Sequence, residues 1–251
     1  MKTILEVDHL KKYYRGKKAV DDIGFQVSEG EVFGLLGPNG AGKSTTIECI
    51  LGIKKATEGH VSLLGFSNPS PRSKGYTGLI KNIGVQFQRS FFPDRIRVGE
   101  MCEMISALYN DPLCYESYLK LFGLHDKMNQ DVSKLSGGEQ QKLSLILAIL
   151  HKPKLVFLDE LTTGLDPEAR REVWAVLKTL QRQGLTIVLT SHYMDEVTNL
   201  CDKVMVIKEG QMIFSGSIQD ALKWTGKDNM EDAYLSIVGE EAKRETLMDI
   251  I

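Results

Sequence analysis

The stretch GPNGAGKST, Gly37 to Thr45, follows directly on EVFGLLG and constrains this chain more than any other segment. Val32, Phe33, Leu35 and Leu36 form an apolar run that predicts a buried strand. That strand delivers the chain into a loop made mostly of glycine and closed by one lysine. The spacing is G-x-x-x-x-G-K-[ST], with Gly37, Gly42, Lys43 and Ser44 at the fixed positions. Glycines let consecutive backbone N–H groups curve around phosphate oxygens with no Cβ in the way. The following KSTTIECILG predicts a helix whose positive N-terminus faces the anion. The loop Gly37, Pro38, Asn39, Gly40, Ala41, Gly42, Lys43, Ser44 and Thr45 is therefore a candidate polyphosphate site. Lys43 is expected to face solvent and reach the β- and γ-phosphates, and the Ser44 hydroxyl to ligate Mg²⁺.

Composition narrows the possible partners. The chain has 251 residues, enough to bury a substantial core, and its 31 basic and 33 acidic side chains leave a net charge of −2. No overall positive field argues for nucleic acid; LKKYYRGKK near the N-terminus is the one dense basic cluster. Cys49, Cys102, Cys114 and Cys201 lie far apart with no C-x-x-C, which argues against a metal site or a disulfide framework and fits a reducing compartment. No segment has signal-peptide architecture, and no run of about 18 apolar residues is long enough to cross a membrane.

Along the chain, Ile23, Phe25 and Val27 alternate with Gly24, Gln26 and Ser28, which predicts a half-buried antiparallel strand; HVSLLGF at 60–66 predicts another. From about residue 89 the texture turns helical: VGEMCEMISALYN, CYESYLKLFGLHD and EQQKLSLILAIL follow one another, the last apolar over most of its girth and hence buried. Strands return with KLVFLDE and LTIVLTSH, continuous apolar runs of the kind covered on both faces in a parallel sheet. Between them lies a helix that Pro167 starts and Gly184 stops. KVMVIKEGQMIFSG predicts a hairpin turning at Glu209-Gly210, and a short helical tail closes the chain. The expected fold is α/β: a P-loop NTPase core with a mainly parallel sheet, an N-terminal antiparallel β region and an inserted helical subdomain. The expected boundaries are 1–88 and 154–218 for the core, 89–153 for the helical part and 219–251 for the tail.

LVFLDE ends in two carboxylates, Asp159 and Glu160, where a parallel sheet presents its ligand-binding edge. Adjacent strand residues point to opposite sides, so the two acids are expected to have different jobs. Asp159 suits a Mg²⁺ ligand and Glu160 the polarisation of an attacking water. LSGGEQQKL opens the most apolar helix with Ser136, Gly137 and Gly138, a second anion-binding helix end, and Glu139 stands where it completes a capping box with Ser136. Within one chain this second site looks redundant.

The order G-P-N-G-A-G-K-S-T, L-S-G-G-E-Q-Q, L-V-F-L-D-E, G-L-D (Gly164–Asp166) and T-S-H (Thr190–His192) resembles the ATPase subunits of ABC transporters across nearly the whole chain. The resemblance removes the redundancy, since in that family two subunits face head to tail and each ATP lies between one P-loop and the other chain's signature helix. It implies further roles by position. Tyr14 stacks on adenine, Gln88 senses the γ-phosphate and the membrane partner and binds the metal, Asp166 organises the dimer contact and His192 clamps the γ-phosphate. Tyr14 rather than Tyr13 follows from its spacing before AVDDI, and Gln88 rather than Gln86 from its place at a strand end. Two residues depart from the family pattern: Glu139 stands where glutamine is commoner, and Leu161 where proline usually follows the catalytic glutamate, which loosens the backbone restraint on Glu160. GLDPEARREVW, SHYMDEVTNLCDKVMVIKEGQMIFSGS and NMEDAYLSIVGEE most resemble the ABC-2 exporter branch.

The resemblance thus implies ATP and Mg²⁺ as cofactors, a homodimer of this chain, and separate membrane-spanning subunits with this chain on the cytoplasmic face of the cell membrane. Phe91, Phe92 and Met101 are candidate contacts to those subunits. The other reading is an ATP-switched mechanical or regulatory module acting on a membrane complex without transport.

Overall fold

A computed structural model of the chain describes residues 2–87 and 91–239. The described residues divide into two compact units, one of residues 2–73 with 190–239 and one of residues 74–87 with 91–189.

The first unit opens with the long strands β1 (Thr3–Tyr14) and β2 (Lys17–Ser28), followed by β3 (Val32–Leu36), α1 (Lys43–Ile50), β4 (Glu58–Leu63) and β5 (Phe66–Ser67). β2, β1, β4 and β5 form an antiparallel sheet in that order. The alternation read from sequence is realised, since Ile23, Phe25 and Val27 are buried. HVSLLGF is not one strand. Leu64 (φ 51°) and Gly65 (φ 81°) turn the chain after β4 into β5, and the Asn68 carboxamide accepts the Val61 N–H at 2.9 Å to close the turn. The Phe25 and Phe33 rings stack with centroids 4.9 Å apart, tying this sheet to β3.

The second unit contains α2 (Tyr76–Ile80), β6 (Ile83–Gln86), α3 (Val98–Ser106), α4 (Tyr115–Leu121), α5 (Gly137–Ile149), β7 (Leu155–Asp159), α6 (Pro167–Arg182) and β8 (Thr186–Thr190). Its strands lie in the order β8-β7-β6, with β6 parallel to β7. Every residue of β7 and β8 is buried, as the apolar runs require. α6 buries Ala169, Val173 and Leu177, one face at four-residue spacing, with Asp166 capping its N-terminus and Pro167 in its first turn. β6 and α5 touch closely, for a Cβ on Gly84 would fall 2.1 Å from the Ala148 carbonyl oxygen.

The chain then returns to the first unit with α7 (Met194–Leu200), β9 (Lys203–Lys208), β10 (Gln211–Ser217), α8 (Ile218–Thr225) and α9 (Met230–Val238). α7 has no counterpart in the sequence expectation. The strand order is β10-β9-β3, with β3 parallel to β9 and β10 antiparallel to it. Glu209 (φ 52°) and Gly210 (φ 81°) both adopt positive φ, the two-residue turn that matches strand twist. Cys49, Cys102 and Cys201 are buried free thiols and Cys114 an exposed one.

Candidate nucleotide site

In the first unit the loop between β3 and α1 is held by its surroundings. Gly37 has φ 149° and a Cβ there would lie 2.2 Å from the Ile207 carbonyl oxygen; at Gly42, with φ 111°, it would lie 2.4 Å from that of Ala19. Both glycines are therefore demanded by neighbouring backbone before any phosphate arrives. Gly40, with φ 79°, has open space around it and is free to meet a ligand. Gly210 donates its N–H to the Ala41 carbonyl at 3.0 Å.

Lys43 departs from its expected solvent-facing position: it is only 6% exposed. Its Nζ donates to the Gly37 carbonyl at 2.6 Å and to that of Pro38 at 3.2 Å. The reason is the tightness of the loop, which wraps its own carbonyls around the ammonium at the start of α1. Ser44 is exposed and Thr45 half-buried in the first turn of α1, while Asn39 is exposed and Pro38 half-buried beside them.

Tyr14 is 40% exposed, with Lys12 Nζ 4.8 Å and Lys54 Nζ 5.7 Å from its ring centroid. Tyr13, by contrast, is engaged within the fold, its hydroxyl donating to Asp21 at 2.8 Å. His192 is exposed, its ring tilted against that of Tyr193 at 5.4 Å.

In the second unit Asp159 and Glu160 are both buried. The strand ends at Asp159, and Glu160 takes a left-handed conformation with φ 54°. The two carboxylates are thus separated by a turn and not by the alternation of a strand, which corrects the sequence argument for their opposite directions. A left-handed non-glycine residue costs about 1–2 kcal/mol. A proline at 161 would push residue 160 towards extended backbone, so Leu161, buried itself, leaves Glu160 this conformation.

Ser136 caps α5: its hydroxyl accepts the Glu139 N–H at 3.3 Å while the Glu139 carboxylate accepts the Ser136 N–H at 2.8 Å. Glu139 also pairs with Lys127. Lys127, followed by the Ser136 N–H, holds the Glu139 carboxyl below its ordinary range. Ser136 and Gly137 are exposed. A Cβ on Gly138 would fall 2.9 Å from Leu165 Cδ2, whereas one on Gly137 would meet nothing within 4 Å. Asp166, exposed, caps α6 through the Ala169 N–H at 2.9 Å. Gln88 lies outside the described residues.

The second unit also carries a groove of about 710 Å³ whose walls include Phe91, Phe92, Met101, Ile105 and Leu108. Phe91 is 90% exposed. Sequence reasoning picks out three of these residues, weighs Gln86 only to prefer Gln88, and misses His151; Gln86 and His151 both line the same groove. His151 belongs to no motif that could draw attention to it.

A buried parallel strand, a glycine-bounded loop with its lysine, and a helix starting at that lysine define a P-loop nucleotide-binding ATPase. The family model described as ABC transporter matches residues 20–163. The chain is 37% identical over 225 residues to the Nod factor export ATP-binding protein I of Rhizobium etli, covering 88% of this chain and 70% of that one. It is 32% identical over 240 residues to the linearmycin resistance ATP-binding protein LnrL of Bacillus subtilis, covering 94% and 76%. Among solved structures, an ATP-binding subunit of an ABC transporter matches with TM-score 0.84 at 25% identity, covering 93% of this chain and 99% of that one. cbiO1 from Clostridium perfringens, part of the ABC transporter complex cbiONQ, matches with TM-score 0.77 at 28% identity over 100% of both chains. The chain belongs to the ABC transporter family, as an ATP-binding subunit that hydrolyses ATP, and its relatives include exporter components. Among the described residues no helix is long and apolar enough to cross a membrane.

Proposed function

We propose that this chain is the ATP-driven motor of an exporter. It works as a head-to-tail homodimer docked on separate membrane-spanning subunits at the cytoplasmic face of the cell membrane. Each ATP is held by the P-loop of one copy and by Ser136, Gly137 and Gly138 of the other.

The observation that carries this reading is Gly137. Its φ is not positive and a side chain there would meet nothing within 4 Å, so its own fold does not require glycine. Bare backbone at the exposed, positive end of a 13-residue helix suits close approach of an anion from outside the chain. The names of the relatives, Nod factor export and linearmycin resistance, support export. The apolar groove with its exposed Phe91 supports a docked partner of the membrane complex.

In this reading Lys43 and the loop N–H groups bind the phosphates, Tyr14 stacks on the base and Glu160 accepts the proton of the attacking water. His192 and Gln88 contact the γ-phosphate, and Asp166 orders the contact between copies. The Ser44 hydroxyl and the Asp159 carboxylate are hard oxygen donors of the type Mg²⁺ takes, and with Gln88 they are the residues that would hold it. When bound, Mg²⁺ neutralises charge on the phosphates.

Glu160→Gln tests the whole arrangement, because glutamine cannot accept the proton. The variant with ATP is expected to elute as a dimer in size-exclusion chromatography with turnover strongly reduced, and added Ser136→Arg to restore the monomer. Wild-type turnover in Glu160→Gln removes Glu160 from catalysis. A dimer that survives Ser136→Arg removes the head-to-tail arrangement.

A further inference from the structure

Residues 207–210, the end of β9 and the turn after it, touch the phosphate loop at two points. β3 and β9 run parallel with Leu36 beside Val206, so the next residue of each, Gly37 and Ile207, meet where the loop begins. A Cβ on Gly37 would fall against the Ile207 carbonyl, and the Gly210 N–H holds the Ala41 carbonyl. A trans peptide points its carbonyl and the following N–H in opposite directions. With the Ala41 carbonyl turned to Gly210, the Gly42 N–H is aimed away from the turn. The turn thereby sets how that donor is presented to a phosphate.

Lys208 stands between these two contacts and is engaged elsewhere. It is half-buried, and its Nζ donates to the Val238 carbonyl at 2.6 Å. Val238 is the last residue of α9, which Gly239 closes with φ 71°. The last carbonyls of a helix have no partners within it, and that end carries partial negative charge. α9 has no basic residue in its own last turn, so the cation from β9 meets that need. Met230, Ala233 and Val238 are buried, which makes α9 a packed element of its unit. One lysine thus fastens the end of α9 to the strand that flanks the phosphate loop.

We propose that Lys208 is a positioning residue of the nucleotide site and that α9 responds to nucleotide through it. Fixed to α9, Lys208 holds residues 207–210 where they keep Gly37 and Ala41 in place for phosphate. The reverse follows by linkage, because coupling between two sites acts equally in both directions. Nucleotide that orders the loop also favours the bond at Val238. The proposal rests on residues 37–45 being the phosphate site. Its consequence is regulatory: a partner that draws α9 off Lys208 weakens nucleotide binding.

The test uses the full chain and MgADP, which occupies the phosphate loop without turnover. Lys208→Met keeps the stem and loses the donor. Its Kd for MgADP by titration calorimetry is expected to rise about fivefold, the low end of coupling between linked sites. Lys208→Arg keeps a donor and is expected to bind close to the wild-type value. In wild type, MgADP is expected to slow hydrogen exchange of the backbone amides of residues 235–239 by the same factor, and in Lys208→Met to leave them unchanged. Lys43→Ala provides the control and is expected to lose binding.

If Lys43→Ala binds MgADP as wild type does, the phosphate-loop reading falls and takes the proposal with it. If Lys43→Ala loses binding while Lys208→Met keeps the wild-type Kd, the loop stands and the role of Lys208 is overturned, even where the variant melts lower. Wild-type α9 amides that exchange alike with and without MgADP overturn the link to α9. Should Lys208→Met fail to fold, that exchange comparison in wild type decides alone.

Discussion

Gly210, at the tip of the β9–β10 turn, donates its N–H to the carbonyl of Ala41 in the middle of the phosphate-binding loop. The Gly210 carbonyl in turn accepts the Asp21 N–H at 2.7 Å. A hairpin more than 160 residues downstream thus clamps the nucleotide loop to β2.

Gly210→Ala tests that clamp. Residue 210 has φ 81°, and a Cβ there would lie 3.1 Å from the Ala19 carbonyl oxygen. The left-handed conformation alone costs alanine about 1–2 kcal/mol. We expect a lower melting temperature together with a several-fold loss of ATP affinity by titration calorimetry. Lost stability with unchanged affinity would show that the turn serves only the fold.

Lys43→Ala is expected to abolish the ATP-induced rise in melting temperature. Because Lys43 is buried against the Gly37 and Pro38 carbonyls, the variant without nucleotide should also melt a few degrees below wild type. Binding of ATP within a few-fold of wild type would remove Lys43 from the site.

Asp21 gives a pH signature. Lys18, then Tyr13, then Gln211 hold its carboxyl at about 2, below the ordinary 3.8. A carboxyl depressed in the fold contributes stability that is present above the unfolded value and is lost as pH falls through the folded one. The melting difference between wild type and Asp21→Asn should be constant above about pH 5, shrink below about pH 4 and be lost below about pH 2. A difference independent of pH would show that the Asp21 charge contributes nothing.

Glu139 has two separable roles. Glu139→Ala loses the cap and the Lys127 pair and should cost about 1–2 kcal/mol by urea unfolding. Glu139→Gln keeps an acceptor for the Ser136 N–H and loses only the partly exposed ion pair, for about 0–1 kcal/mol. Equal losses would place the whole effect in the Lys127 pair.

The elements legible in the sequence are those whose pattern is local. The buried runs before Gly37 and up to Asp159, the Asp166 cap with Pro167, the Ser136–Glu139 box and the Glu209–Gly210 turn all arise from neighbours within a few positions, and the structure builds each of them. The seven-residue α7 was not legible, being too short to show a helical period.

The site divides along the same line. Gly37, Gly42, Lys43 and Ser44 identify a phosphate loop because backbone geometry and charge at fixed spacing suffice for that chemistry. Which of those glycines the fold itself demands was decided by the Ile207 and Ala19 carbonyls, brought there by distant strands. Tertiary packing also buried Lys43, turned Glu160 out of its strand and set Lys208 on the end of α9. Chain order states which groups are available. Burial and hydrogen bonding between segments far apart in that order decide which of them are already satisfied.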